Sequence, residues 1–333
     1  MKYIKIHWPS LVIAALFLCI GVVTGAFLFT SRTTHNDSGC TSPDLHYINP
    51  ELGCTPASVV DKRGYASLNR SLQDFIQNQV AQNNVSNVSI YFRDLNNGPT
   101  LGINEYEKFS PASLLKLPML MTYLSLEENQ SGLGAIQVEY DGYAEDNLEQ
   151  DIPPKESIVQ NTPYTIDDLL TRMIQYSDNR AYYVLRQYLQ QLSPTDDLLK
   201  NTFVDLGILD PKSILDETIT VKSYASIFSQ LYYSSFFDTN KSSEKALDIL
   251  THVDFTQGLN AGVPANIPIA HKFGERTGFA GGIKQLHDCG IVYYPKNPYL
   301  ICVMTSGTDF VTLEGVIATI SKMVYQEFDS RRL

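Results

Sequence analysis

The sequence predicts an α+β protein: an antiparallel sheet flanked by helices, with an inserted all-helical subdomain, placed after an N-terminal transmembrane helix. Three observations support this fold class. A run without any charged residue occupies positions 11–30, strand-like alternation occurs near both ends of the remaining chain, and helical periodicity fills the middle. Because strands come from both ends, we expect one sheet that both termini complete, with the helices inserted between them.

Residues 11–30 are predicted to be an uncleaved membrane anchor. As a helix the run spans roughly 30 Å, the thickness of the hydrocarbon core of a bilayer. Lys2 and Lys5 precede it and Arg32 follows it, a bias that places the N-terminus in the cytoplasm. A cleaved signal peptide and a buried core helix are the alternatives. The run is long for a signal peptide, lacks a clear A-x-A cleavage site, and has no polar face.

The expected domain organisation follows from this anchor. Residues 1–31 are a cytoplasmic tip and anchor, residues 32–57 a polar extracytoplasmic spacer, and residues 58–333 the folded domain. Within the folded domain, the α/β part is expected at about 58–108 and 264–333, and the helical part at about 109–263. The protein is therefore expected in the cytoplasmic membrane as a single-pass protein, with its folded domain outside the cytoplasm.

Charge and cysteine content exclude several functions. The net charge of −11 disfavours nucleic acid as a partner, because such binding depends on cationic side chains. No Cys–His spacing resembles a zinc site. Neither a metal nor an organic cofactor is implied. Cys40 and Cys54 flank a polar stretch and are either a disulfide or two free thiols. Cys289 and Cys302 lie in apolar strand-like runs and are expected to be core thiols.

The elements are predicted in chain order. An amphipathic helix carries Leu68, Leu72 and Ile76, and a hairpin follows at 88–103 with a turn at Asn97-Gly98. Helices are then expected after the Thr165/Asp168 capping box, from Ser193-Pro194 to Gly207, and after Thr220. Strands return at 267–274, 282–294 and 299–306, and a last amphipathic helix carries Leu313, Ile317, Ile320 and Val324.

The first motif with chemical potential is Ser113-Leu-Leu-Lys116. If a helix begins with Ser110 as its cap and Pro111 at its first position, Ser113 lies in the first turn, where the helix dipole favours developing negative charge. Lys116 then lies on the same face and can take the hydroxyl proton. A second S-x-x-K, Ser242-Ser-Glu-Lys245, lies in a polar run and is interpreted as a solvated turn.

Two more motifs follow. Ser177-Asp-Asn179 separates two predicted helices, and its side chains could simply cap the second one. Lys272-Phe-Gly274 comes late in a strand and is followed by Glu275, Arg276, Thr277 and Gly278, although an exposed strand lysine is the ordinary reading of Lys272.

In this order, the three motifs resemble the signature of class A β-lactamases and penicillin-binding proteins. The resemblance extends from about Leu68 to Phe328, with a hairpin before the serine, and two strands and a helix after the lysine. The resemblance implies that Ser113 is the acylated nucleophile, that Lys116 accepts its proton, and that Ser177 relays a proton to the leaving nitrogen. It also implies that Asn179 binds the substrate amide and that Lys272 attracts the substrate carboxylate. The backbone N–H groups of Ser113 and Glu275 would form the oxyanion hole.

Two departures from that signature matter. Phe273 replaces the Thr or Ser of K-T-G, whose hydroxyl would bind the substrate carboxylate. Either Arg276 replaces that hydroxyl as the partner of the carboxylate, or Arg276-Thr277-Gly278 is the third motif. Lys272-Phe-Gly274 is preferred as the third motif because the residues before Lys272 resemble the family's strand better. No Glu-x-x-Leu-Asn pentapeptide, which holds the deacylating glutamate of class A enzymes, follows Ser177. Asp210, Asp216 and Glu217 are candidates for that role by position only.

The resemblance implies a membrane-anchored serine hydrolase that β-lactams acylate at Ser113 and that hydrolyses their ring amide. The absence of the Glu-x-x-Leu-Asn glutamate favours an alternative activity. In that alternative the protein is a D,D-carboxypeptidase or transpeptidase that acts on the D-Ala-D-Ala ends of peptidoglycan peptides. Phe273 motivates a third reading, a binding or sensor domain without catalysis. The expected partners are a small-molecule or peptidoglycan-peptide substrate and the membrane.

Overall fold

A computed structural model describes residues 46–49, 64–96, 98–142, 150–208, 218–278 and 282–331. The predicted anchor at 11–30 and the Cys40–Cys54 pair lie outside these residues. Within the described part of the chain, no helix combines the length and the apolar composition needed to cross a bilayer.

The centre of the α/β part is a five-stranded sheet in the order β2-β1-β9-β8-β7, in which every neighbouring pair is antiparallel. Its strands come from both ends of the described chain, as predicted. The strand bounds are β1 Asn87–Asp94, β2 Thr100–Ile103, β7 Ile269–Arg276, β8 Lys284–Val292 and β9 Tyr299–Gly307.

Helices flank the sheet and form the inserted part, which confirms the predicted α+β fold. The predicted helix before the hairpin, the helices capped by Thr165 and Thr220, and the last amphipathic helix are all present. The helix bounds are α1 Ala66–Ala81, α2 Lys116–Asn129, α3 Ile166–Gln175, α4 Asn179–Leu192, α5 Leu198–Asp205, α6 Val221–Tyr232, α7 Asn240–Leu250 and α8 Phe310–Ser330.

The middle of the sheet is covered on both faces. All nine residues of β9 are buried, which requires apolar cover above and below the strand. Helix α8 packs against β8 and β9, and α6 also contacts β9. The strands therefore read as apolar runs in the sequence, and the two helices fix the position of the sheet against the helical part.

The helical part differs from the prediction in two places. It also contains two small antiparallel ribbons, which pair β3 Lys108–Phe109 with β6 Ile219–Thr220 and β4 Gln137–Glu139 with β5 Pro163–Thr165. Ser193 ends α4 rather than opening a helix, and α5 begins later with Asp197 as its cap, because the Asp197 carboxylate accepts a hydrogen bond from the backbone N–H of Lys200.

The expectation of free core thiols at Cys289 and Cys302 is wrong, because the structure joins them in a disulfide. The two residues lie directly opposite each other on β8 and β9, so both side chains point to the same face of the sheet. Strand register decides this pairing, and the sequence does not display register.

The second S-x-x-K is not a solvated turn but the first part of α7. Ser243 is buried, and the Glu244 carboxylate accepts hydrogen bonds from the backbone N–H groups of His46, Tyr47 and Ile48. Lys245 pairs with Glu127 and Asp167 on neighbouring helices. This motif therefore holds the segment 46–49 and the helices together.

Candidate active site

Three elements meet at the candidate site: β7, a 3-10 turn at Ala112–Leu115, and the loop before α4. Strand β7 is the edge of the sheet, so one side of its backbone faces the helical part instead of another strand. Gly274 allows the close approach, because a Cβ there would stand 3.0 Å from the backbone nitrogen of Leu114.

Ser113 lies in the 3-10 turn, and α2 begins only at Lys116, later than predicted. Ser110 is therefore not the helix cap. Ala112, directly before the serine, has a φ of +48°, a left-handed conformation that costs a non-glycine residue free energy. The tight turn and its strained first residue hold the Ser113 side chain at the edge of the cleft.

The sheet anchors this turn through Ser110. Its backbone N–H donates to Oε1 of Gln285 at 2.9 Å, and its carbonyl lies 3.0 Å from Nε2 of His287. Its hydroxyl accepts from Nη1 of Arg276 at 2.9 Å. Side chains of β7 and β8 therefore position the entry to the nucleophile turn, which sequence reasoning missed because the three partners lie far away along the chain.

The Ser177-Asp-Asn179 motif divides its residues between structure and chemistry. Ser177 has a φ of +55° and is fully buried. The Asp178 carboxylate caps α4 by accepting from the N–H of Arg180, and it also accepts from the Ser157 hydroxyl and the N–H of Ile158. Asp178 thereby fixes the loop, and Ser177 and Asn179 on either side of it face Lys116.

Lys116 is the point at which the first two motifs meet. Its Nζ lies 3.0 Å from Oγ of Ser113 and 3.1 Å from Oγ of Ser177. It lies 2.6 Å from both the carbonyl oxygen of Ser177 and Oδ1 of Asn179. Only 3% of Lys116 is exposed, so these groups take the place of water around its nitrogen.

The partners of Lys116 also determine which atoms donate. The Ser177 carbonyl and the Asn179 amide oxygen can only accept, so they take two N–H groups of the lysine. As a free amine, Nζ has two N–H groups and one lone pair, and the lone pair then points towards the hydroxyls of Ser113 and Ser177. The observed geometry therefore allows a serine hydroxyl to give its proton to Lys116.

The third motif joins this group through Lys272, which is fully buried. Its Nζ lies 3.2 Å from Oγ of Ser177, whereas Arg276, four residues further along β7, contacts Ser110. Of the two rival triplets, Lys272-Phe-Gly274 is thus the one that contacts the second motif. Burial, and next the positive charge that Lys116 carries when it is protonated, lower the pKa of Lys272 well below its usual value.

A cleft of about 700 Å³ opens beside Ser113. Its wall includes Glu275, whose carboxylate accepts from the N–H of Ile152 at 3.3 Å and whose pKa is raised, mainly by burial. Gln150, also on the wall, donates to the Ser177 carbonyl at 3.3 Å. Sequence reasoning missed Gln150 because it lies in an aperiodic polar segment that carries no motif. The described residues lining the cleft are Ala112, Ser113, Leu115, Lys116, Gln150, Asn179, Tyr182, Glu275, Arg276, Thr277 and Gly278.

Asp210, Asp216 and Glu217, the candidates for activating a deacylating water, lie outside the described residues. Among the residues that the structure describes, no group of three or more His, Cys, Asp or Glu side chains is arranged to hold a metal ion.

The fold of this chain is similar to that of known proteins. The model of the beta-lactamase enzyme family matches residues 70–328. The solved structure of PBP-A is 22% identical to this chain, with a TM-score of 0.64 over 82% of this chain and 100% of that one. No curated protein matches the sequence.

Two β-lactamase structures are similar to the same extent. The TLA-3 extended-spectrum beta-lactamase is 17% identical, with a TM-score of 0.65 over 80% of this chain and 99% of that one. A class A beta-lactamase from Mycobacterium abscessus is 20% identical, with a TM-score of 0.62 over 78% and 99%. At these identities the solved structures show that the fold is shared.

Replacing Lys272 with Met should remove a pH dependence of the stability of the fold. Because the folded state lowers the pKa of Lys272, the unfolded chain binds more protons than the folded chain between the lowered pKa and the unfolded value near 10.5, and the free energy of unfolding rises with pH across that window. In Lys272→Met this part of the slope, up to about 1.4 kcal/mol per pH unit, should vanish. Chemical denaturation at several pH values measures the slope in both proteins.

The matched control is Lys245→Met, which removes a lysine whose burial would lower its pKa but whose hydrogen bond and charge pairing with Asp167 raise it. That variant should keep the rise of stability with pH below 10.5. A Lys272→Met protein that keeps the wild-type slope would contradict the lowered pKa of Lys272.

His287 should make the fold sensitive to acid. Burial lowers its pKa from 6.5 to about 4, despite the hydrogen bond to the carbonyl of Ser110. The unfolded chain therefore binds a proton between these values, so the free energy of unfolding falls as the pH drops from 6.5 to 4, by up to about 3 kcal/mol. His287→Gln, which keeps an N–H donor for Ser110, should flatten this slope, whereas the exposed His252→Gln should leave it unchanged.

Proposed function

Because this chain belongs to the beta-lactamase enzyme family, we propose that β-lactams acylate Ser113 and that the protein then hydrolyses the ring amide. One observation carries the proposal: Nζ of Lys116 lies within about 3 Å of both Oγ of Ser113 and Oγ of Ser177. A nucleophile and a proton-relay group thus share one buried amine, which lies within hydrogen-bond reach to act as the base that activates the serine.

In the proposed acylation, Oγ of Ser113 attacks the carbonyl carbon of the ring amide and its proton passes to the free amine of Lys116. The backbone N–H groups of Ser113 and Glu275 stabilise the oxygen that becomes negative. The carbon–nitrogen bond then breaks, the leaving nitrogen takes the proton of Ser177, and Ser177 regains a proton from Lys116. The product is an ester at Ser113, and all protons are accounted for.

Hydrolysis of that ester requires a water activated by a base. The chain carries no Glu-x-x-Leu-Asn pentapeptide after Ser177, and this departure supports a second candidate function. A D,D-peptidase would form the same ester from a D-Ala-D-Ala peptide and release it slowly or transfer it. The similarity to PBP-A, a mutant of which has been solved as an acyl-enzyme complex with penicillin G, supports acylation under either function.

We also propose that the catalytic domain acts outside the cytoplasm, held to the membrane by residues 11–30. The charge-free run and the lysines before it support this location.

The acylation is tested by intact-mass spectrometry of the full chain mixed with benzylpenicillin. An adduct with the mass of the intact drug should form on the wild type and be absent from Ser113→Ala, because the only proposed nucleophile is then missing. Ser242→Ala, the serine of the other S-x-x-K, is the matched control and should form the adduct at the wild-type rate.

The lifetime of the adduct separates the candidate functions. Loss within seconds, with release of the ring-opened acid, supports a β-lactamase, and persistence for hours supports a peptidase. If a folded protein neither forms an adduct nor releases the ring-opened acid, the proposed acylation is wrong, and the third interpretation, a binding or sensor domain, is favoured.

A further inference from the structure

The surroundings of Lys272 are occupied by the protein itself. Its Nζ donates to the carbonyl oxygen of Phe273 at 2.7 Å and lies 3.2 Å from Oγ of Ser177. The ring of Phe273 covers it, with the ring centre 4.2 Å from the nitrogen. Lys272 is fully buried and does not line the cleft. In this structure a substrate group therefore has no direct access to this nitrogen.

The ring of Phe273 is held in place by a second aromatic side chain. Phe255 stacks on it with ring centres 4.4 Å apart and the planes at 22°. Both residues are only 4% exposed. The stacked pair therefore forms an apolar cover beside Ser177 and Lys272, at the end of the site where the leaving nitrogen would receive its proton.

A carboxylate, that of Asp288, lies next to this apolar cover. Asp288 lies directly opposite Phe273 on β8 and is fully buried. Its carboxylate accepts from the backbone N–H of Leu259 at 2.9 Å and lies 2.8 Å from Nδ1 of His271. It also favours the charged form of Lys272. The counter-charge of Lys272 is thus supplied from inside the fold rather than by a ligand.

The exposed cation of the cleft lies at its other end. Arg276 is four residues beyond Lys272 on β7, roughly 13 Å along an extended strand. Between the two lies Glu275, whose N–H is proposed to bind the carbonyl oxygen. Arg276 is thus on the acyl side of the scissile bond, and its guanidinium donates to the hydroxyl of Ser110 at 2.9 Å.

We propose that this site is built for acyl donors whose leaving group carries no carboxylate. Penicillins and D-Ala-D-Ala peptides both bear a carboxylate one carbon from the scissile nitrogen, and that group would lie at the end of the site that the buried rings of Phe273 and Phe255 close. Neutral amides, β-lactams without that acid group, and esters fit an apolar cover. The inference rests on the proposed acylation of Ser113, and it disfavours D-Ala-D-Ala as the substrate.

The test compares benzylpenicillin with its methyl ester, which has the same reactive ring but no charge. The second-order rate of adduct formation at Ser113 is followed by intact-mass spectrometry on the full chain. We expect the ester to react at least as fast as the acid. An acid that reacts more than about tenfold faster would show that the carboxylate is recognised, since that ratio corresponds to a charged hydrogen bond, and the inference would be overturned.

A pair of isosteric variants assigns the effect to the cover. Phe273→Thr uncovers Lys272 and adds a hydroxyl, and should raise the acid-to-ester rate ratio about tenfold. The valine of Phe273→Val has the same shape as the threonine of Phe273→Thr but lacks the hydroxyl, so this variant should raise the acid-to-ester rate ratio less. If the ratio stays at the wild-type value in both folded variants, the Phe255–Phe273 pair does not exclude the carboxylate.

The outcomes separate the inference from the proposed function. No adduct with either compound would refute the acylation itself, and the inference with it. An adduct with both compounds, formed much faster from the acid, would leave the acylation intact and refute only the carboxylate exclusion. The wild-type comparison decides this point even if a variant does not fold.

Discussion

The candidate site depends on one buried amine, Nζ of Lys116. It contacts Ser113 on its own turn, and Ser177 and Asn179 from the helical part. Since Lys116 is nearly unexposed, the fold must supply every partner that water would otherwise provide. The strained backbone at Ser177, the cap by Asp178 and the late start of α2 all serve to bring acceptors to this nitrogen.

A second buried lysine near the same site lowers the stability of the fold, because burying an ammonium group costs free energy. Lys272 lies beside Ser177, and both burial and the charge of Lys116 disfavour its ammonium form. Its carbonyl partner, the aromatic cover of Phe273 and the carboxylate of Asp288 offset part of this cost. Such sites trade stability for function, because the groups that react are the ones that pack least favourably.

The edge position of β7 organises the cleft. An inner strand would have both backbone sides paired, whereas β7 can turn one side towards the nucleophile turn, at a distance that only Gly274 permits. The same strand carries Lys272 at one end and Arg276 at the other. The two ends of the cleft therefore differ in character, one apolar and closed by Phe273, the other cationic and open.

The α+β fold, most of the strands and helices, and the three motifs can be predicted from the sequence, because periodicity, capping residues and motif spacing are local signals. Features that depend on strand register and on long-range contacts are visible only in the folded structure. The Cys289–Cys302 disulfide, the anchoring of Ser110 and the choice of Lys272 over Arg276 as the partner of Ser177 are of this kind. So is the stacking of Phe255 on Phe273, because no local pattern shows which distant side chains a packed sheet edge brings together.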